Sequence, residues 1–344
     1  ILYQTDEKKQ GFFYINDKML YQVEGVQAVS ESEMQQLKEQ LSGARQGDES
    51  GEEPYGIQKI DGMWMHMFEA VCESRSVIDT FSWQDQIVKQ AVYYQAMASK
   101  EGIPSVEEIM DIRFLQIENA DQAAGFQDLA MLPQLRTLYI LWGGLTDISF
   151  VKNLPELEDI SFYGNEIQDI SPLTACKNLK VLSLGFNKVE DITPLAELTS
   201  LKELGLQGNE IKDIEALRFL PELEGVNLNG NQITDLSPLS GKTKLAALGA
   251  GYNQIKDISP LKGMNQLYNL ALDMNQISDI RVLKEMTQLE YLGLAYNQIE
   301  DFEPIKDMEK LFLLSVMGNP AQDIGNLIFV PMLNMGNSGM LTEE

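Results

Sequence analysis

Histidine occurs once and cysteine twice in these 344 residues, so the side chains that most often bind transition metals or carry nucleophilic chemistry are nearly missing. The single histidine, His66, has no second imidazole, cysteine cluster or serine motif near it in sequence, and reads as a packed or exposed strand residue. Cys72 and Cys176 read as buried free thiols rather than a disulfide or a nucleophile. Such sparing use fits the cytosol, and equally the exported proteins of bacteria that do without disulfides. Basic residues are scarce as well: 26 Lys and Arg against 52 Asp and Glu leave a net charge of −26 and a pI near 4.3. Phosphate recognition needs the opposite sign, so the balance argues against nucleic acid and anionic membrane, and leaves a basic or neutral partner. The plainer alternative is that excess acid keeps a repetitive protein soluble. No apolar stretch approaches the roughly 18 residues that span a bilayer; the longest, Leu327 to Leu333, is broken by Pro331. These shortages predict no catalysis, no cofactor and no metal.

In place of chemistry there is repetition. Leu135, Leu157, Leu179, Leu201, Leu223, Leu245, Leu267, Leu289 and Leu311 open nine copies of one 22-residue phrase. With that leucine as position 1, apolar residues recur at positions 4, 6, 11, 14, 17 and 20. Asparagine holds position 9 from the second copy onward, at Asn165, Asn187, Asn209, Asn231, Asn253, Asn275, Asn297 and Asn319. A register kept this long without an insertion predicts identical units stacked on one another. Alternation around positions 4 to 6 predicts a short strand with one buried face. The asparagine falls where the chain bends inward, so its amide must be satisfied by backbone groups of its own and the adjacent copy.

The second half of each phrase reads Asp-Ile-Ser-Pro-Leu at 169–173 and 257–261, with close variants at 191–195 and 235–239. Ser or Thr as N-cap and Pro at the first helical position predict a short helix or 3₁₀ turn, with positions 17 and 20 facing back toward the strand. An aspartate column precedes these turns at position 13, from Asp147 to Asp323. A carboxylate ladder invites calcium. One carboxylate per copy, always ahead of an apolar residue and a helix start, instead predicts a backbone-bonding role at a turn.

These features resemble the leucine-rich-repeat family, and the Asn-x-Ile-x-Asp-Ile-x-Pro-Leu phrasing resembles the 22-residue subclass of bacterial internalins, over residues 103 to 325. The resemblance implies an α/β right-handed solenoid, with parallel strands on a concave face and short helical segments on the convex one. For function it implies a protein-binding arc, and the first expectation is a non-catalytic bacterial module that is exported or displayed at the cell surface. Internalin arcs are usually followed by an immunoglobulin-like segment and often a wall-sorting signal. Here the chain ends some 25 residues after the last repeat with neither, so host-cell invasion is not expected. The start at Ile1 rather than methionine predicts a segment removed upstream, for which a cleaved export signal and an artificial trim look alike.

The concave positions 3, 5, 7, 8 and 10 are not dictated by the fold, and there the copies diverge. Tyr139, Leu141, Trp142, Tyr163 and Phe186 gather at one end; Gly205, Gln207, Asn227 and Asn229 follow; then come Tyr252, Tyr268, Met274, Tyr291, Tyr296 and Phe312 among Gly249, Gly251, Ala271, Asp273, Gly293 and Met317. Large, stiff, amphipathic rings are typical binding anchors, so those eleven apolar and aromatic residues are the candidate partner-binding set. Small residues at positions 5 and 7 predict a shallow trough for a partner's backbone or ring. The competing reading is that the position-8 side chains pack on one another along the ladder. A protein partner is the first expectation for a monomer. A glycan at a cell surface is the second, since sugars stack on aromatic rings, and an intracellular scaffold is the third.

Residues 1–102 lack the register and predict a small α+β module. Two hairpins are centred on Asn16-Asp17 and Asp61-Gly62, and two helices cover Ser30 to Leu41 and Trp83 to Lys100. Residues 103–134 predict a helical cap and a degenerate repeat, with Ile112, Leu115 and Ile117 as an irregular strand. Residues 320–344 predict a C-terminal cap, with Ile324 to Val330 folding over the last repeat without restarting the register.

Overall fold

The computed structural model describes residues 2–5, 10–15, 18–24, 59–60, 63–64, 83–97, 106–117, 120–123, 125–321, 327 and 330–334. The chain divides into two compact units, Ile1–Ile112 and Arg113–Glu344. His66, Cys72, Asp323 and the helix expected over Ser30 to Leu41 lie outside the described residues.

In the first unit, β1 (Leu2–Thr5), β2 (Gln10–Ile15) and β3 (Lys18–Glu24) form an antiparallel sheet in that order. Strands β2 and β3 flank Asn16-Asp17 with Ile15 opposite Lys18, as the hairpin signal required, and β1 adds a strand that the sequence reading did not anticipate. A two-residue pairing of β4 (Lys59–Ile60) with β5 (Met63–Trp64) flanks Asp61-Gly62. Helix α1 (Gln86–Met97) starts three residues later than expected, because Asp85 caps it: its Oδ1 accepts the N–H of Val88 at 2.9 Å. Its buried stripe is Val88, Val92, Tyr93 and Ala96, while Tyr94 points to solvent. Helix α2 (Val106–Met110), expected as the solenoid's cap, falls within this first unit.

The second unit is one eleven-stranded parallel sheet. Its strands are β6 (Phe114–Ile117), β7 (Thr137–Ile140), β8 (Asp159–Ser161), β9 (Val181–Ser183), β10 (Glu203–Gly205), β11 (Gly225–Asn227), β12 (Ala247–Gly249), β13 (Asn269–Ala271), β14 (Tyr291–Gly293), β15 (Leu313–Ser315) and β16 (Met332–Asn334). From β7 to β15 partners are 22 residues apart, as in Leu204 opposite Leu182 and Val226. The degenerate first unit takes a step of 23, from Leu115 to Leu138. The last step is 19, from Leu314 to Leu333. The C-terminal segment therefore extends the sheet instead of only folding over the last repeat. Pairing uses backbone groups alone, so β15 can satisfy its edge with a segment that has left the side-chain register.

One copy shows how the core is built. Leu201, Leu204, Leu206, Ile211, Ile214, Leu217 and Leu220, at positions 1, 4, 6, 11, 14, 17 and 20, are all buried. Cys176 takes the position-20 slot of its copy; burial pushes its thiol up to about 11, so it stays protonated and inert. The asparagine column does what its place demanded. Asn209 accepts the N–H of Val189 at 3.0 Å and donates to the carbonyls of Leu184 at 2.9 Å and Leu206 at 3.0 Å, tying its copy to the one before. The same three bonds recur from Asn187 to Asn319.

The second half of each copy is a 3₁₀ turn, such as Ser171–Ala175 with Pro172 near its start. Its cap differs from the expected one. Ile170 holds the N-cap place and no Ser or Thr side chain caps the turn. The position-13 aspartate does so instead, accepting the N–H two residues on. Eight such bonds run from Asp147 to Asp301 at 2.7–3.0 Å. A carboxylate placed outside the turn reaches back over a short arc more easily than a hydroxyl within it. The hydroxyls of Ser149, Ser237 and Ser259 then donate to the other carboxylate oxygen.

Candidate functional site

The open face of the parallel sheet is set by its pleat: position 4 points in, so positions 3 and 5 point out. Just beyond each strand the chain turns at position 8, and there all nine residues adopt positive φ. Glycine occupies this place in four copies, Gly164, Gly208, Gly230 and Gly318, but Trp142, Phe186, Tyr252, Met274 and Tyr296 hold φ of 53–56°. The ladder causes this. In the first eight copies the left-handed turn aims the position-8 N–H at the position-7 carbonyl of the next copy, as from Trp142 to Tyr163 at 3.0 Å and from Tyr252 to Asp273 at 2.8 Å. A side chain with a Cβ pays about 1–2 kcal/mol for that conformation.

Three of those side chains lie over the next copy's glycine. A Cβ at Gly164 would collide with the indole of Trp142, one at Gly318 with the ring of Tyr296, and one at Gly208 would stand 2.8 Å from Phe186. Packing along the ladder is therefore real, yet the rings remain open to solvent: Trp142 is 69% exposed and Tyr252 62%. Trp142, Tyr163 and Phe186 make one cluster, with centroids 5.2–6.4 Å apart. Tyr139 and Leu141 are half-buried beside it. Tyr139 packs edge-on against Phe114 and donates to Asp159 at 2.9 Å; burial, followed by that bond, raises its phenol. At the far end Tyr291 and Phe312 meet edge-on at 6.3 Å, and Tyr252, Tyr268, Met274 and Tyr296 are exposed nearby in sequence order along the ladder.

Between the two groups the face sinks into a trough of about 390 Å³, lined by Ser183, Glu203, Gly205, Gln207, Asn227, Asn229, Ala247, Gly249, Asn269 and Ala271 among others. The small residues do leave room, but neighbouring polar side chains take part of it. Glu203 lies over Gly225, Asp273 over Gly293 and Gln207 over Gly185. Desolvation raises the Glu203 carboxyl, with Glu224 adding to the shift. Desolvation likewise raises Asp273, although its Oδ1 accepts the N–H of Ala295 at 2.9 Å. Phe114, Asp159 and Glu203 were not singled out from sequence. The last two occupy position 3, a place already marked as free, so the signal was there; Phe114 lies in the irregular strand, where the register gives no face.

Among the described residues no group of three or more His, Cys, Asp or Glu is placed to hold a metal ion, and no helix is long and apolar enough to cross a membrane.

A family model for leucine-rich repeats in two copies matches residues 155–197 and 199–241. Comparison with curated proteins gives no match. Among solved structures the chain is similar to an internalin, InlF, of Listeria monocytogenes, at 28% identity and a TM-score of 0.51 over 74% of this chain and 90% of that one. It is similar to internalin C2 of the same organism at 27% identity and a TM-score of 0.54, over 68% and 93%. A leucine-rich-repeat protein of Leptospira interrogans, at 23% identity and a TM-score of 0.51 over 62% and 63%, shares the fold. With its 22-residue period, asparagine ladder and aspartate-capped 3₁₀ turns, the repeat unit is a leucine-rich-repeat solenoid of the internalin-like kind.

Proposed function

We propose that the chain is a non-catalytic interaction module of a bacterial cell surface or secreted fraction, which binds a protein partner through the open face of its solenoid. A leucine-rich-repeat solenoid implies protein–protein interaction, since stacked strands build one long, open surface from positions the core does not constrain. The observation that carries the reading is position 8. Glycine is the relaxed choice there, and five copies nonetheless hold a large apolar side chain in a left-handed conformation with its surface turned to solvent. Three of the five pack over the next copy's glycine, but Tyr252 and Met274 have no glycine beneath them. Strain retained at such exposed side chains points to a functional surface, and exposed Trp and Tyr are the residues that anchor interfaces. Tyr139, Leu141, Trp142, Tyr163 and Phe186 form one anchor group in this reading, and Tyr252, Tyr268, Met274, Tyr291, Tyr296 and Phe312 the other. The surface or secreted location rests on the likeness to the internalins.

The test is capture by the full chain, immobilised, from the native environment, beside a Trp142→Gly/Tyr252→Gly/Tyr296→Gly variant. Loss of the captured proteins at an unchanged melting temperature supports the reading, and an unchanged set removes this face from it. A glycan array with the same two proteins separates the carbohydrate alternative: sugar binding lost in the variant would replace protein by glycan as the ligand. Fractionation of the source cells, probed with antibody, tests the location; a wholly cytoplasmic signal would favour the scaffold reading.

A further inference from the structure

The charge of the trough narrows the partner. Across positions 3, 5, 7 and 8 of all nine copies the only charged residues are Asp159, Glu203 and Asp273, and at position 10 stand Glu166, Lys188 and Glu210, the lysine paired with Glu166 at 3.1 Å. Asp159 is engaged by Tyr139. Glu203 and Asp273 form no ion pair with a Lys or Arg among the described residues, and both sit folded over a neighbouring glycine. The cations at the strand entrances are already occupied, Lys180 by Glu158 at 2.6 Å and Lys202 by Glu224 at 2.7 Å. The trough thus holds one carboxylate without counter-charge, Glu203, beside a Gln207 Oε1 that is buried and accepts no hydrogen bond. A second, Asp273, stands among the rings of the second aromatic group with the Ala295 N–H as its donor. Desolvated carboxylates are stabilised most by a charge-assisted donor.

Resting on the reading that this face binds protein, we infer that the segment it takes is an extended cationic peptide, with two Lys or Arg residues about four apart and apolar side chains at its ends. Dimensions set the spacing. The Glu203 and Asp273 carboxylates overlie copies three strands and two residues apart, so about 16 Å separates them at strand spacings of about 4.8 Å and rises of about 3.3 Å. Residues four apart on an extended chain share a face and lie about 13 Å apart, and the length of Lys or Arg side chains closes the remainder. The span from Trp142 to Phe312 crosses eight strand spacings, about 38 Å, which an extended segment of about twelve residues covers. Its ends would reach Trp142 and Phe312, with one cation over the trough at Glu203 and the other at Asp273 over Gly293, one copy short of Phe312.

The experiment selects a displayed library of random twelve-residue peptides against the immobilised full chain, then measures affinities of synthetic versions of the enriched peptides. Enrichment of paired Lys or Arg four apart between apolar ends is expected. Affinity for those peptides should fall about tenfold for Glu203→Gln and for Asp273→Asn, and further for the double variant, at unchanged melting temperature. Enriched peptides that are neutral or acidic, but that are lost with Trp142→Gly or Tyr252→Gly, would overturn the charge inference and leave the binding face standing. Peptides indifferent to those aromatic substitutions, or no enrichment at all, would overturn the inference; the first outcome would also count against the face.

Discussion

Position 8 is where single residues most clearly reveal two demands on one site. Replacing Tyr252 by glycine relieves a left-handed backbone worth about 1–2 kcal/mol and incurs the extra entropy of glycine, about 0.5–1 kcal/mol. The terms nearly cancel, so stability measured by denaturant unfolding should stay within about 1 kcal/mol of the parent; a loss of several would show that the ring is a packing element after all. The reverse substitution separates strain from seating. Gly230→Ala meets no atom closer than 3.6 Å and should cost only the backbone term, whereas Gly164→Ala has the same positive φ and also collides with the indole of Trp142. Gly164→Ala should therefore cost more than Gly230→Ala, and the excess should vanish in a Trp142→Gly background, as a double-mutant cycle reads it. The position-9 asparagines and the core leucines were legible from type and period alone. The left-handed turn beside them was not, because Trp, Phe, Tyr and Met are the last residues that a sequence reading would place there.

At the level of the element, the asparagine ladder and the aspartate caps stabilise the stack in different ways. Asn209→Ala would leave the Val189 N–H without its partner inside the core, while the carbonyls of Leu184 and Leu206 each lose one of two donors and keep Asn187 and Asn231 respectively. At roughly 1–3 kcal/mol for a buried group left unmade, the expected loss is about 1–3 kcal/mol, and urea titration measures it. The aspartate caps are solvent-facing and act through ionisation. Four of the carboxyls are held low: Asp279 at about 2, first by its side-chain bonds to Arg281, Asp169 and Asp235 first by the backbone N–H of Ser171 and Ser237, and Asp191 first by Thr193. A carboxyl whose folded pKa is depressed contributes stability that is whole above its unfolded value, about 3.9. That contribution is lost as pH falls through the folded value. Melting temperature should hav a shoulder that declines from about pH 4 toward 2, and Asp279→Asn should shrink the decline. The turns themselves were legible in the Ser-Pro and Thr-Pro pairs. The backbone-bonding role of the aspartates was legible as well, but not that they displace Ser or Thr as the cap, because hydroxyl and carboxylate stand two residues apart and only the arc of the turn decides which reaches the free N–H.

For the whole molecule, electrostatics is set by a net charge of −26 against a series of exposed ion pairs between copies, such as Lys188–Glu166, Lys202–Glu224 and Lys244–Glu222. Exposed pairs are worth about 0–1 kcal/mol each, while like charges repel over the full screening length, about 30 Å at 0.01 M salt and 10 Å at 0.1 M. Repulsion should win, so the melting temperature should rise between those salt concentrations; a fall would mean that the inter-copy pairs dominate. The aromatic ends and the small middle of the open face were readable from residue types, since the period assigns every side chain its face. The way Glu203, Asp273 and Gln207 fold over neighbouring glycines was not, because it depends on which copy stands next.

A phrase repeated nine times in register lets weak local preferences add, and so the order of residues alone sufficed for the buried positions, the strand and turn of each copy, the asparagine ties and the likeness to internalin repeats. Several features came only with the assembled solenoid, chief among them the left-handed bend under five large side chains and the eleventh strand reached by a step of 19 residues. Both are imposed by hydrogen bonds to an adjacent copy. Backbone groups at the flank of a strand must be paired whatever side chains they carry, and composition holds no record of that requirement.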